Sequence, residues 1–346
     1  VSGGVSGGGV GGAQLGIDVG GTKILGVLLA EDGTIASEHR RDTLAGGRAL
    51  VDDLSDLAGR LLREAGALGG AAAPEAGGGA GGATLGIGVP GLVDRTGTLL
   101  FAPNLLGASG TAIRDEVAGR LGADVSVRVD NDATCAAAGE CAFGAGRGRR
   151  DVLFVTLGTG IGGGILSGGR LLRGAVNFAG EIGHTVVDPQ GPPCGCGRRG
   201  CWERYASGSG LGRLARDAAL AGGAGKVMAL AGGDADEVRG EHVVTAAAEG
   251  DPEAGEILSE FAWWLALGLA NLANTLDPEV IVIGGGLVRA GDALLEPTRA
   301  AFVEQLEGSS LRPDIEIVAA ELGERGGAVG AAVIGRLGPD EAIAAG

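Results

Sequence analysis

Short apolar runs punctuated by glycine open the chain, and their period changes along it. Runs at 15–19 and 24–30 are apolar and β-rich and are joined by a glycine turn. A second turn at 31–33 leads to a third strand near 34–40. Between 48 and 67 the period lengthens to that of a helix, with Leu50, Leu54, Leu57, Leu61 and Leu62 on one face. A strand at 84–89, a helix near 111–121 and a strand at 124–129 follow. The second half repeats this order more loosely: a strand at 151–157, a glycine turn, a strand at 165–167, a long helix over about 253–275 and a strand at 280–283. This predicts an α/β fold of two similar lobes with a cleft between them; the alternative is one larger α/β domain. The smaller lobe is expected over 14–132, completed by a C-terminal helix at 326–337, and the larger over 133–325. The Gly/Ser/Val segment 1–13 reads as a disordered tail and the Gly/Ala-rich stretch 69–82 as a surface loop.

Composition narrows the function classes. The chain has 346 residues, 45% hydrophobic and 20% charged, which suits a globular protein with two cores of ordinary size. Its net charge of −16 sets it against nucleic acid and anionic lipid as partners. No apolar run approaches the roughly 20 residues of a membrane span, and the N-terminus lacks a signal-peptide pattern, so the cytoplasm is the expected compartment. With 73 glycines, a glycine counts as a signal only where it closes a strand.

Three glycine turns meet that condition. The first, Gly16-Ile-Asp18-Val-Gly20-Gly21-Thr22-Lys23, lies between two strands, which excludes the dinucleotide fingerprint with its following helix. Its backbone N–H groups can approach phosphate, Thr22 adds a hydroxyl and Lys23 a charge, and Asp18 can hold Mg²⁺. The second, Leu157-Gly-Thr159-Gly160-Ile-Gly-Gly-Gly164, also joins strands, and the third is Gly284-Gly285-Gly286, with a helix expected from about Leu287. A lone glycine hairpin is often only a tight turn. Three of them at strand ends point to a bound triphosphate.

The segment from His184 through Cys194, Cys196 and Cys201 supplies one imidazole and three thiols, the donor set of a structural zinc. A disulfide between Cys194 and Cys196 would be strained across one intervening residue. Cys135 and Cys141 read as core residues of a helix, and His39 and His242 as surface residues. His184 can bind metal through one ring nitrogen and face a ligand with the other, which makes the metal a device for orienting a pocket.

In Val129-Asp130-Asn131-Asp132-Ala133 a strand gives way to a helix. These polar residues can cap that helix, or they can bind a sugar, whose neighbouring hydroxyls ask for carboxylates and amides. Asn104, Asn131, Asp132, Glu181 and Glu203 all stand at loops or element ends beside the motifs above. An aspartate so placed can take the proton of an attacking hydroxyl.

Together the motifs Asp18-Val-Gly-Gly-Thr-Lys23, Gly88-Val-Pro-Gly91, Val129-Asp-Asn-Asp-Ala133, Leu157-Gly-Thr-Gly-Ile-Gly-Gly-Gly164 and Gly180-Glu-Ile-Gly-His184 through Cys201-Trp-Glu203 resemble the ROK family of bacterial sugar kinases and sugar-responsive repressors. The resemblance spans 15 to about 335. It implies an actin-like ATPase fold of two RNase-H-like lobes, with Asp132 as catalytic base. Zinc would sit on His184, Cys194, Cys196 and Cys201. Gly91, Asn104, Asn131, Asp132, Glu181, His184 and Glu203 would hold the sugar, and Asp18, Gly20, Gly21, Thr22, Lys23, Thr159, Gly160 and Gly285 the Mg²⁺-ATP. The implied activity is that of a glucokinase, passing the γ-phosphoryl group of ATP to O6 of glucose. Fructose, an N-acetylhexosamine or allose are the alternative sugars, polyphosphate the alternative donor, and a non-catalytic sugar sensor the rival of another class. The sensor reading is weakened because such relatives carry a DNA-binding segment ahead of the first glycine turn, where this sequence has about 14 mostly Gly and Ser residues. A homodimer or homotetramer is the implied assembly.

Overall fold

The computed structural model describes residues 13–30, 32–67, 82–338 and 341–343. The tail expected over 1–13 and the loop expected over 69–82 therefore lie almost wholly outside the described residues. The chain divides into two compact units. One comprises 1–142, 173–178 and 325–343, and the other 143–172 and 179–324, with the last three residues.

The first unit opens with an antiparallel meander, β1 (Gln14–Val19), β2 (Lys23–Leu29) and β3 (Ile35–Asp42). Helix α1 (Gly47–Ala67) leads to β4 (Ala83–Val89), and a small hairpin β5 (Leu92–Val93) and β6 (Leu99–Phe101) follows. Helix α2 (Ile113–Leu121), strand β7 (Val125–Asn131) and helix α3 (Asp132–Phe143) complete this stretch. The sheet order is β3-β2-β1-β4-β7, with β1, β4 and β7 parallel.

The second unit repeats that plan. Strands β8 (Val152–Leu157), β9 (Ile161–Ser167) and β10 (Arg170–Leu171) form its meander. Helices α4 (Glu203–Ala206), α5 (Gly208–Leu220), α6 (Gly225–Leu230), α7 (Gly240–Ala248) and α8 (Pro252–Leu276) precede β11 (Val280–Gly284), α9 (Asp292–Gln305) and β12 (Glu316–Ala319). The order β10-β9-β8-β11-β12 matches the first sheet strand for strand. The last helix, α10 (Gly326–Arg336), returns to the first unit.

Strand alternation decides what each face of the first sheet carries. Leu15, Ile17, Leu85, Ile87, Val127 and Val129 point to α1 and α2, where they meet Leu50, Leu54, Leu57, Leu61 and Val117. The opposite positions face α10, where the backbones of Gly16 and Gly86 lie directly against those of Ala328 and Ala331. In the second unit Leu153, Val155, Ile281 and Ile283 pack with Phe261, Leu265 and Leu269 of α8 and with Trp202. Helix α8 starts where Asp251 accepts the Ala254 N–H at 2.8 Å and Pro252 follows, so cap and fixed φ act together.

The expected elements appear with small shifts, and three readings change in detail. The turn after β11 passes first through a 3-10 turn, Gly286–Ala290, before α9 begins. His39 is not a free surface residue: it is partly buried and bonded to Glu64 at 2.8 Å. His242 is likewise partly buried, and its Nδ1 accepts the Arg239 N–H at the start of α7. Cys135 and Cys141 are buried on α3 as expected. Among the described residues no helix is long and apolar enough to cross a membrane.

Candidate functional site

The expected site residues fall into two groups, one in each unit. In the first unit they gather at the C-terminal ends of β1, β4 and β7. The β1–β2 turn is closed by the Gly20 N–H donating to Lys23 O at 2.8 Å and braced by Thr43 Oγ1 donating to Gly20 O at 2.7 Å. Thr22 and Lys23 are exposed at its tip. The Asn104 loop lies beside the same turn, with a methyl group at Gly21 reaching to 3.6 Å of Asn104 O.

At the end of β7, Asn131 takes the first of the two roles the sequence left open. Its Oδ1 caps α3 by accepting the N–H groups of Ala133 and Thr134, at 2.9 and 3.1 Å. Its Nδ2 donates to Gly91 O at 3.3 Å, and its side chain also bonds the Asp132 carboxylate, so the amide links the Gly91 turn to Asp132. Asp132 follows as the first residue of α3. Burial raises its pKa, partly offset by the Ala133 N–H and the Asn131 side chain on its carboxylate. Asp18 is pushed up to about 7, first by burial and then by the charge of Asp132. Two carboxylates with raised proton affinity thus share one site, the electrostatics expected of a place that awaits a cation and a hydroxyl.

Three groups here escaped the sequence reading. Arg173 Nε donates to Asp130 Oδ2 at 2.8 Å, and Asn177 Nδ2 donates to Asp130 Oδ1 at 3.2 Å, so Asp130 is structural and fixes the strand end. Gly327 on α10 faces Asp18, and a methyl group there would come within 2.5 Å of the carboxyl carbon. All three are more than 40 residues from their partners, and no local pattern marks them.

In the second unit, Thr159 and Gly160 form the tip of the β8–β9 hairpin, where the Gly158 N–H donates to Gly160 O at 3.1 Å. Gly285 adjoins the same strand end. Its φ of +87° is a conformation L residues rarely adopt, and a methyl group would lie 2.4 Å from Leu157 O. Two glycine turns therefore meet at the ends of neighbouring parallel strands, β8 and β11.

The imidazole of His184 and the thiols of Cys194, Cys196 and Cys201 converge, their ligand atoms all within 4.8 Å of one another. Cys196 and Cys201 sulfurs are 3.5 Å apart, and His184 Nδ1 is 3.7 Å from Cys194 Sγ. Tetrahedral zinc with bonds of about 2.0–2.3 Å requires ligand separations of about 3.5 Å, so the donor set fits that metal. All five cysteines are free of disulfides. Burial pushes the Cys194 thiol up to about 12. Burial raises Cys196 too, but donors from Arg198 and the neighbouring thiols outweigh it and bring it to about 6. The loop is anchored by Trp202, fully buried, whose indole N–H donates to Trp264 O at 2.8 Å.

Glu203 ties this centre to the hairpin. Its Oε1 accepts from Cys194 Sγ at 3.0 Å and lies 3.5 Å from His184 Nδ1, while its Oε2 would be 2.7 Å from a methyl group on Gly160. Glu181 lies on the other side of the ring, with Oε2 3.9 Å from His184 Nε2. One ring nitrogen thus faces the thiols and the other a carboxylate.

Comparison with known proteins agrees with this geometry. Residues 14–336 match the ROK family. The chain is 40% identical to a glucokinase of Streptomyces coelicolor, over 94% of this chain and 98% of the relative. It is 37% identical to a glucokinase of Thermotoga maritima, over 92% and 96%. A solved ROK family glucokinase from Streptomyces griseus, in complex with glucose and AMPPNP, superposes with a TM-score of 0.78 at 40% identity, covering 94% of this chain and 100% of that one. The fold is therefore that of the α/β actin-like ATPases, and the chain belongs to the ROK family.

Proposed function

We propose that the protein is an ATP-dependent glucokinase that transfers the γ-phosphoryl group to O6 of glucose. The observation that carries this reading is Asp132, a partly exposed carboxylate at the start of α3 with a raised pKa, held at the strand end beside Asn131. The glucokinases among its relatives, at 37–40% identity over most of the chain, support the sugar, and the solved Streptomyces griseus glucokinase with its AMPPNP supports the donor.

Asp132 accepts the proton of the attacking hydroxyl as phosphoryl transfer proceeds in line. Asn104, Asn131, Glu181, His184 and Glu203, with the Gly91 turn, hold the sugar hydroxyls and orient O6. The turn at Gly20, Gly21, Thr22 and Lys23, and the one at Thr159, Gly160 and Gly285, meet the nucleotide with N–H groups, a hydroxyl and a charge. Asp18 is the residue to hold Mg²⁺, which when bound neutralises phosphate charge. His184, Cys194, Cys196 and Cys201 would hold zinc, which would supply no reaction chemistry and would fix the orientation of the His184 ring.

Self-association into a dimer or tetramer is part of the proposal. Trp263 on α8 and Val303 on α9, 45% and 57% exposed, offer apolar surface for it. The cytoplasm is the proposed compartment, because three thiols must stay reduced to bind metal.

The test is ADP release from Mg-ATP with and without glucose, followed by a panel of other hexoses. Release that depends on glucose supports the reading. No release from folded, zinc-loaded protein, or turnover with another hexose alone, rejects it.

A further inference from the structure

The first unit holds a cavity of about 430 Å³ whose walls include neither Asn131, Asp132 nor Gly91. It lies along the outer edge of β7, beside α10 and the β5–β6 hairpin. Four arginines line it, Arg95, Arg114, Arg128 and Arg173, against two carboxylates, Asp94 and Asp130. In a chain of net charge −16 with 27 basic side chains, four converging on one hollow is an unusual concentration.

The two carboxylates are already engaged. Asp94 accepts the N–H groups of Thr96 and Thr98 at 2.8 and 3.0 Å and the Thr96 hydroxyl at 2.6 Å. Asp130 is held by Arg173 and Asn177. Arg95 donates two of its N–H groups to the uncharged carbonyls of Gly174 and Ala175, and Arg114 Nε donates to Asp115 Oδ1 at 2.9 Å, which leaves the other guanidinium hydrogens of both for a ligand. Arg128 is the decisive group. Its Nε is buried and has no hydrogen-bond partner, and burial together with the nearby charge of Arg173 lowers its pKa against the partial offset of the Glu341 carboxylate. A buried guanidinium hydrogen without an acceptor costs free energy, and an anion in the cavity would remove that cost. The volume falls within the roughly 300–1,000 Å³ of small-molecule sites and exceeds what a bare inorganic ion fills.

We propose that this cavity binds a small organic phosphomonoester, its phosphate on Arg128 with Arg95 and Arg114 beside it. Guanidinium groups match phosphate oxygens in a fork, and the Asp94 end of the cavity suits the polar, hydroxylated remainder of such a molecule. Asp130 also accepts the Asn131 N–H at 2.9 Å, so a ligand that competes for Arg173 reaches the strand end that carries Asp132.

The proposal stands apart from the kinase reading, because its test reads binding without turnover. Glycerol 2-phosphate, inorganic phosphate and glycerol would each be titrated calorimetrically into the full chain without nucleotide or sugar. Saturable binding of glycerol 2-phosphate, tighter than that of inorganic phosphate and absent for glycerol, is expected. Arg128→Met should weaken it at least about tenfold and Arg114→Gln about threefold, while Asp132→Asn leaves it unchanged. Glucose-dependent ADP release by the two arginine variants should stay at the level of the unaltered protein, so failure of the site and failure of the kinase assignment are read separately. If Arg128→Met does not fold, the exposed Arg114→Gln carries the comparison. No saturable heat, or equal affinity in the arginine variants, overturns the site. Equal affinity for inorganic phosphate overturns the organic body of the ligand.

Discussion

The carboxylate of Asp18 rests on the bare Cα of Gly327, with room for hydrogen and none for a methyl group: a Cβ there would stand 2.5–2.7 Å from its carbon and both its oxygens. Gly327→Ala must therefore push the group proposed to hold Mg²⁺ out of place. Misplacement of such a group by about 1 Å costs about 10²-fold in rate, and overpacking costs about 1–3 kcal/mol. We expect kcat to fall by about that factor while the variant still melts cooperatively. Unchanged kcat would mean that the Asp18 position is unimportant.

Asp18 itself should trade stability for function. Its folded pKa of about 7 lies above the unfolded value of 3.8. Between these values the folded protein keeps a proton that the unfolded chain has released, so stability falls as pH rises through that window and the full penalty applies above it. Asp18→Asn removes the penalty. In magnesium-free buffer it should be more stable than the unaltered protein by about 1–3 kcal/mol at about pH 8, with little difference at about pH 4, and it should be inactive. Thermal melts at the two pH values check this; a pH-independent difference would contradict it.

Asp132→Asn keeps the size and the local hydrogen bonding of the side chain but cannot take a proton. A loss of about 10²–10⁴-fold in kcat is expected with glucose affinity nearly retained. In the unaltered enzyme kcat should decline as pH falls through the raised pKa of this group, and no such decline should remain in the variant. Equal effects on binding and turnover would instead assign Asp132 a sugar-holding role.

Cys201→Ser removes a thiol that is fully buried beside Trp202. Metal analysis should give one zinc per chain in the unaltered protein and none in the variant. Because the His184 ring turns Nδ1 to the thiols and Nε2 to Glu181, metal loss should weaken glucose binding as well as lower the melting temperature. Metal loss with unchanged glucose affinity would confine the zinc to a purely structural part.

The sequence made the repeated strand order, the three glycine turns and the four clustered His and Cys donors legible, because each is a local pattern: a period, a strand end or a fixed spacing of donors. It also placed Asn131 and Asp132 at a strand–helix junction, although it could not say that Asn131 would cap the helix and tie the Gly91 turn to it. What it hid is what tertiary packing creates. Arg173 and Asn177 reach Asp130 from a segment over 40 residues away, and Gly327 stands out among 73 glycines only once α10 lies against β1. His39 read as a surface residue because its partner Glu64 lies on α1, a full helix further along the chain.

The helix that backs the first sheet is the last one described in the chain, and this has a consequence during synthesis. Strands β1, β4 and β7 emerge early, yet the face bearing Gly16, Gly86 and Asp18 stays uncovered until α10 leaves the ribosome. The second unit, whose strands and helices all lie between 143 and 324 apart from the short 173–178 interruption, has its last strand by residue 319 and can fold first. The unit that begins the sequence is thus the one that finishes last, and a chain stalled before residue 326 would expose a naked glycine-rich sheet to aggregation.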